Sequence, residues 1–260
     1  MEPQVIRPML NVSERAQQAP IVSVSTVIFA LRPLAGQPAA DAERERLGVQ
    51  LWVPLVRRTR PPFADAWALP GGPLTWDRSL DEAARATLLS STGLAPRHLE
   101  QLYSFGGVER SAGDQRHVTI AYWALLGIDQ GATQVETDNL GWFPLGALPD
   151  LAFDHAEILD VAIDRLRAKT VYADIAARFL GPVFTLSDLR EVHDAVLGTR
   201  SDPANFRRRL LASGQVEPTG GARRDGAHRP SQLYRFTGSA STEAERPLAP
   251  RTESETSRTA

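Results

Sequence analysis

The chain has 260 residues, 42% hydrophobic and 23% charged, with a formal net charge of −2; it is long enough for two modest cores, and its composition excludes a disordered or fibrous protein. It contains no cysteine, which excludes disulfides, thiolate nucleophiles and cysteine-based zinc sites and fits a reducing compartment. No run approaches eighteen apolar residues, and Met1-Glu2-Pro3-Gln4 has neither the basic nor the apolar region of a secretory signal, so a cytoplasmic protein without membrane association is expected.

Residues 1–20 mix Pro, Gln and Glu without periodicity and are expected to be a disordered tail. Ile21 to Leu31 is rich in β-branched residues and reads as a strand, and Gly48 to Arg58 reads as a second after the polar, Ala-rich loop 36–46. A turn-rich stretch leads to Gly72. Leu80 to Ser91 has helical periodicity, with Leu80, Ala84, Leu88 and Leu89 on one side and Gly93 as its stop. Gln101 to Phe105, His117 to Leu126 and Gly141 to Leu145 are further strands, giving an α+β unit over residues 21–150. Asp154 and Glu157 have the spacing of an N-cap acid and its reciprocal Glu, and they open a linker helix within 151–169. His155, between them, is assigned to that cap and not to a metal, because the three lie too close in sequence to share one helix face. Over 170–236 the pattern changes to short helices at 170–179, 186–197 and 203–212, then strands Gln215 to Thr219 and Ser231 to Phe236 around a Gly- and Arg-rich tip. Residues 237–260 read as a second disordered tail.

Leu69-Pro70-Gly71-Gly72, a helix and Thr92-Gly93-Leu94 resemble the Nudix hydrolase family in both motif and spacing. Gly72 to Gly93 spans the length of the Nudix box, and Leu88 and Leu94 fill its aliphatic places. The charged places differ: Arg78 stands where the box has its first Glu, Ala86 and Thr87 replace Arg-Glu, and Ser90 and Ser91 replace Glu-Glu. In a Nudix enzyme those carboxylates share one helix face and hold Mg²⁺ against a diphosphate. Thr87, Ser90 and Ser91 are neutral, so the reading is a binding fold that is not an enzyme, with no metal and no cofactor. A residual Mg-dependent pyrophosphatase is the alternative. Asp77, Asp81 and Glu82 lie elsewhere on the helix and read as charges complementing its N-terminal dipole. Arg78 is a candidate contact to a ligand diphosphate.

The small net charge conceals an uneven distribution. Residues 21–150 carry 11 Arg against 14 acids, whereas residues 200–236 carry 8 Arg against 3 acids, a basic module joined to an acidic one. Thr185-Leu186-Ser187-Asp188 has capping-box spacing, its helix ends at Gly198, and Ser201-Asp202-Pro203 starts another helix with an N-cap and a proline. Helix, short turn, helix and hairpin describe a winged helix-turn-helix. On a helical wheel Phe206 and Leu210 face inward with Leu211 at the edge, while Asn205, Arg208 and Arg209 face outward towards a DNA groove. Arg207 falls on the flank, suited to a phosphate. Arg223, Arg224, His228 and Arg229 at the wing tip suit backbone or minor-groove contact.

The degenerate box, Leu151-Ala152-Phe153-Asp154-His155-Ala156-Glu157-Ile158, Asn205-Phe206-Arg207-Arg208-Arg209-Leu210-Leu211 and Leu233-Tyr234-Arg235-Phe236 together resemble the Nudix-related transcriptional regulators of NAD metabolism. The resemblance covers roughly residues 21–236. It implies an N-terminal Nudix-like α/β/α sandwich with a mixed sheet, followed by a C-terminal winged helix-turn-helix. It further implies a homodimeric repressor that binds a palindromic operator in double-stranded DNA and senses ADP-ribose or a related nucleotide, with a sugar as the alternative effector. Ligand binding is then expected to move the DNA-binding units and lower operator affinity. Arg58, Trp67, Phe105 and Arg116, with Arg78, sit where a Nudix pocket forms and are its ligand candidates.

Overall fold

The computed structural model describes residues 19–33, 49–96, 98–110, 115–128, 137–170, 173–224 and 230–237. Both expected tails, apart from a few residues at their inner ends, and the loop 36–46 lie outside them, as do His228 and Arg229. A mixed seven-stranded sheet is built around β1 (Ile21–Pro33), whose β-branched run pairs in parallel with β6 (His117–Leu126). The order β3-β2-β1-β6-β5 adds β2 (Val49–Arg57), β3 (Trp67–Ala68) and β5 (His98–Phe105), all antiparallel to their neighbours.

The second edge of β1 is shared. Ala30–Pro33 pair with β2, Ser23–Ser25 pair with β4 (Gly71–Pro73), and between them the Thr26 amide donates to Pro70 O at 2.8 Å. The loop Leu69–Gly72 is thus wedged into a fork of the sheet. Gly71 is required there, since a Cβ would lie 2.6 Å from Val24 O and 2.8 Å from Ser25 Oγ. Gly71→Ala is expected to destabilise the chain by about 1–3 kcal/mol through this overpacking; an unchanged urea midpoint would contradict the close approach. β7 (Leu140–Pro144) completes the sheet against β2.

Both faces of β1 are buried, which is why its sequence is nearly continuously apolar. Ile28 and Ala30 join Leu88, Leu94, Ala124 and Trp142 on the side of helix α1 (Leu80–Thr92). Val27, Phe29 and Leu31 face the other way, towards α2 (His155–Thr170), α3 (Ala173–Leu180) and α4 (Leu186–Leu197). A second unit follows with α5 (Pro203–Ala212) and the hairpin β8 (Val216–Arg223) and β9 (Ser231–Phe236). Helix α4 packs against both β2 and β9, so the two cores expected from chain length meet in one contiguous cluster running from Val27 to Tyr234. Among the described residues no helix is long and apolar enough to cross a membrane.

Two local expectations are corrected. Leu89 is 55% exposed, and α1 meets the sheet through Ala83, Ala84, Leu88 and Thr92 instead. Asp154 sits at the start of α2, but its carboxylate is held by Arg110, with Nη2 donating to Oδ1 at 2.8 Å and Nε against Oδ2, so a distant cation replaces the first-turn amides.

Candidate functional site

Helix α1 is fixed at both ends. Ser79 and Glu82 form a capping box, with the Ser79 amide donating to Glu82 Oε2 at 2.9 Å, and Gly93 closes the helix in the left-handed region at φ 70°. The Ser79 amide and hydroxyl hold the Glu82 carboxyl below its ordinary value. This geometry sets Thr87, Ser90 and Ser91 along one side of the helix; Thr87 faces Gly72, where a Cβ would lie 3.3 Å from Thr87 Cγ2. The serine hydroxyls turn back on the helix: Ser90 Oγ donates to Thr87 O at 3.0 Å and Ser91 Oγ to the same oxygen at 2.7 Å. Arg78 is exposed near Asp77 and lines a shallow groove with Glu82, Arg85, Ala86 and Leu89, while Trp76 beside it is fully exposed. Among the described residues no group of three or more His, Cys, Asp or Glu stands ready to hold a metal ion.

The other ligand candidates gather at the opposite end of the box loop. The Arg58 guanidinium lies 4.6 Å over the Phe153 ring and donates from Nε to Pro62 O at 3.0 Å. Phe63, 52% exposed, meets Phe153 edge-on at 4.8 Å, and both carry positive φ. Trp67 is half-buried against Phe143, and its carbonyl accepts from the Ala152 amide at 2.8 Å. Phe105 is buried with its ring on Tyr103, and Arg116 binds the carbonyls of Gly106 and Gly107. Arg110, which sequence reasoning passed over, connects this loop to Asp154 and donates to Phe105 O at 2.8 Å.

His155 was also missed in its actual role. Its ring is buried and Nδ1 accepts from the Leu69 amide at 2.9 Å, so the proton sits on Nε2. Burial pushes its pKa down to about 4 from 6.5, against the attraction of Asp154 and with smaller help from Arg110 and Arg58. Between those values the unfolded chain binds a proton that the folded chain refuses. Stability is therefore full above about pH 6.5 and falls as pH drops towards about 4, by on the order of 3 kcal/mol. His155→Asn, which keeps an acceptor in place of Nδ1 but does not titrate, is expected to flatten urea midpoints between pH 7 and pH 5; an unaltered slope would contradict the assignment. A second window lies lower. Burial raises the Glu100 carboxyl, but hydrogen bonds and charge from His98 and Lys169 outweigh it and bring the pKa to about 2.

In the basic module, Thr185 and Asp188 form the expected capping box and Gly198 ends α4 at φ 67°. Asp202 caps α5 by accepting from the Asn205 amide at 2.8 Å, with Pro203 at the first turn. Asp194 joins the two helices, accepting from the Ser201 amide at 3.1 Å and its hydroxyl at 2.6 Å. On α5 Leu210 is buried and Phe206 half-buried, while Asn205, Arg207, Arg208 and Arg209 are all exposed. Arg208 Nη2 donates to Asn205 Oδ1 at 2.8 Å, which holds these two side chains together. Arg224 is exposed at the wing, but Arg223 Nη2 donates to Asp188 Oδ1 at 2.8 Å and braces the wing against α4.

Residues 176–236 match the model for the NrtR DNA-binding winged helix domain, and residues 41–162 match the NUDIX domain model. The ADPR responsive transcriptional repressor NtrR of Acinetobacter baylyi is 38% identical over 194 residues, covering 72% of this chain and 76% of that protein. The crystal structure of Shewanella oneidensis NrtR aligns with a TM-score of 0.65 at 31% identity, over 83% of this chain and 94% of that one. The same protein complexed with a 27mer DNA aligns equally well over 93% of its length.

Proposed function

The chain belongs to the NrtR family of Nudix-related regulators, and from that premise we propose that it is a transcriptional repressor whose ligand is ADP-ribose or a related nucleotide. Residues 170–236 bind double-stranded DNA, residues 21–150 sense the nucleotide, and residues 151–169 join the two. The chain acts as a cytoplasmic homodimer on a palindromic operator controlling genes of NAD metabolism. The observation that carries this reading is the exposed row Asn205, Arg207, Arg208 and Arg209 on a capped helix beside a hairpin. Arg224 extends the basic surface, and Arg223 serves by bracing the wing.

The nucleotide is bound and not hydrolysed. Mg²⁺ takes charged oxygen ligands and keeps much of its water, and the box offers Thr87, Ser90 and Ser91 with both serine hydroxyls donated to a backbone carbonyl. Arg78 brings positive charge to a carboxylate position. Those donors do not fit the metal, and metal-assisted hydrolysis loses its basis. Arg58 and Trp67 border the ligand, with Arg78 at the other end of the box. The test is a polarisation titration of the full chain on a duplex it selects from a random pool, with and without ADP-ribose, and an assay for Mg²⁺-dependent release of AMP. Weaker DNA binding with ADP-ribose and no AMP is expected; DNA binding indifferent to ADP-ribose, or release of AMP, overturns the reading.

A further inference from the structure

Helix α2 grips the box loop at one end and the DNA-binding helices at the other. At its start, the Leu69 amide donates to His155 Nδ1 at 2.9 Å, the Ala152 amide donates to Trp67 O at 2.8 Å, and Leu151 bridges Trp67 in parallel. Leu69 is the first residue of the loop wedged into the fork of β1. His155 supplies a side-chain hydrogen bond from the helix to that loop, and its ring is buried, so water does not substitute freely for the acceptor.

About 18–21 Å further along, at 1.5 Å per residue from His155 to Arg167 and Lys169, the same helix is held on two sides. Lys169 Nζ contacts both Glu100 oxygens at 2.9 and 3.0 Å, fixing α2 to the sheet edge at β5. Arg167 Nε donates to Val196 O at 3.5 Å, at the last turn of α4. That turn lies beside Asp194, which holds Ser201 ahead of α5. One helix thus joins the box loop to the turn ahead of α5.

We propose that His155 is a positioning residue that couples occupancy of the box loop to DNA binding through α2. The inference rests on the reading that a nucleotide at the box regulates the winged helix, and it is tested by the ratio of DNA affinities without and with saturating ADP-ribose. Allosteric pairs commonly show ratios of about 5 to 150. His155→Leu, which removes the acceptor at similar volume, is expected to reduce the ratio below about threefold, leaving DNA affinity without ligand and ADP-ribose affinity each within about threefold of wild type. His155→Asn restores the ratio, because its Oδ1 takes the place of Nδ1. A defect in packing alone lowers both affinities and is not rescued by Asn. Arg167→Met, at an exposed position, gives the same loss of coupling from the far end of α2 and keeps the test decisive if His155→Leu does not fold. Wild-type coupling in His155→Leu or in Arg167→Met overturns the inference and leaves the functional reading intact; a wild-type protein whose DNA affinity ignores ADP-ribose overturns both.

Discussion

Replacing Arg208 and Arg209 together by Ala is expected to lower affinity for the selected operator duplex by roughly thirtyfold or more, because each good bidentate contact to a base contributes about 1–3 kcal/mol. The cause lies in how the helix is anchored. Leu210 and Phe206 anchor α5 to the core, Asp202 and Pro203 start it, and Asp194 fixes the turn before it, so the outward side is presented at one angle. Arg208 is held by Asn205 and loses less freedom on binding than an isolated arginine. Arg223→Ala is expected to act differently, since it removes the brace to Asp188 and leaves that carboxylate at the N-terminus of α4. Polarisation titrations on operator and on random duplex, at fixed salt, separate the contributions. A loss confined to the operator marks base readout, an equal loss on both marks phosphate contact, and unchanged binding to both removes α5 from the interface.

Periodic and capped elements were legible in the sequence because their causes are local. Helices α4 and α5 fall at the expected limits, with Thr185, Gly198, Asp202 and Pro203 in their expected places. The box helix was legible for the same reason, apart from Leu89. A wheel shows an apolar stripe but not which side chains meet the sheet, and small Ala83 and Ala84 take that contact. Strands β3 and β4 are too short for a pattern of their own and are held by β2 and β1.

The site residues were legible as types and not as partners. Arg58 and Arg116 read as ligand candidates and Arg223 as a DNA contact; in the fold they meet Phe153, the Gly106 and Gly107 carbonyls, and Asp188. Asp154 read as a cap because its natural local partners are amides, while Arg110 lies 44 residues away. His155 and Leu69 are 86 residues apart, and no spacing rule reaches that far. The contacts that build the Nudix unit around Leu69 and Asp154 are thus long-range and beyond any local pattern.

Phe184→Ala is expected to destabilise the whole chain by about 3–5 kcal/mol, the usual cost of emptying a buried phenyl site. Phe184 is 1% exposed, and its backbone exchanges hydrogen bonds with Tyr234 at 2.8 and 3.1 Å while its ring lies 5.3 Å from Phe236. The residue therefore fastens the wing to the segment entering α4. Helix α4 also packs on β2, and Phe184 belongs to the same contiguous cluster as Val27 and Phe29 of the central strand. If the halves share that core, its loss lowers one cooperative transition, by roughly 6–20 °C at about 2–4 °C per kcal/mol, and does not detach the winged helix alone. Calorimetry of the full chain distinguishes the two outcomes. A new low-temperature transition with the main one unmoved would mean that the winged helix melts independently, and a route from the box loop through α2 to α4 would then lose its mechanical footing.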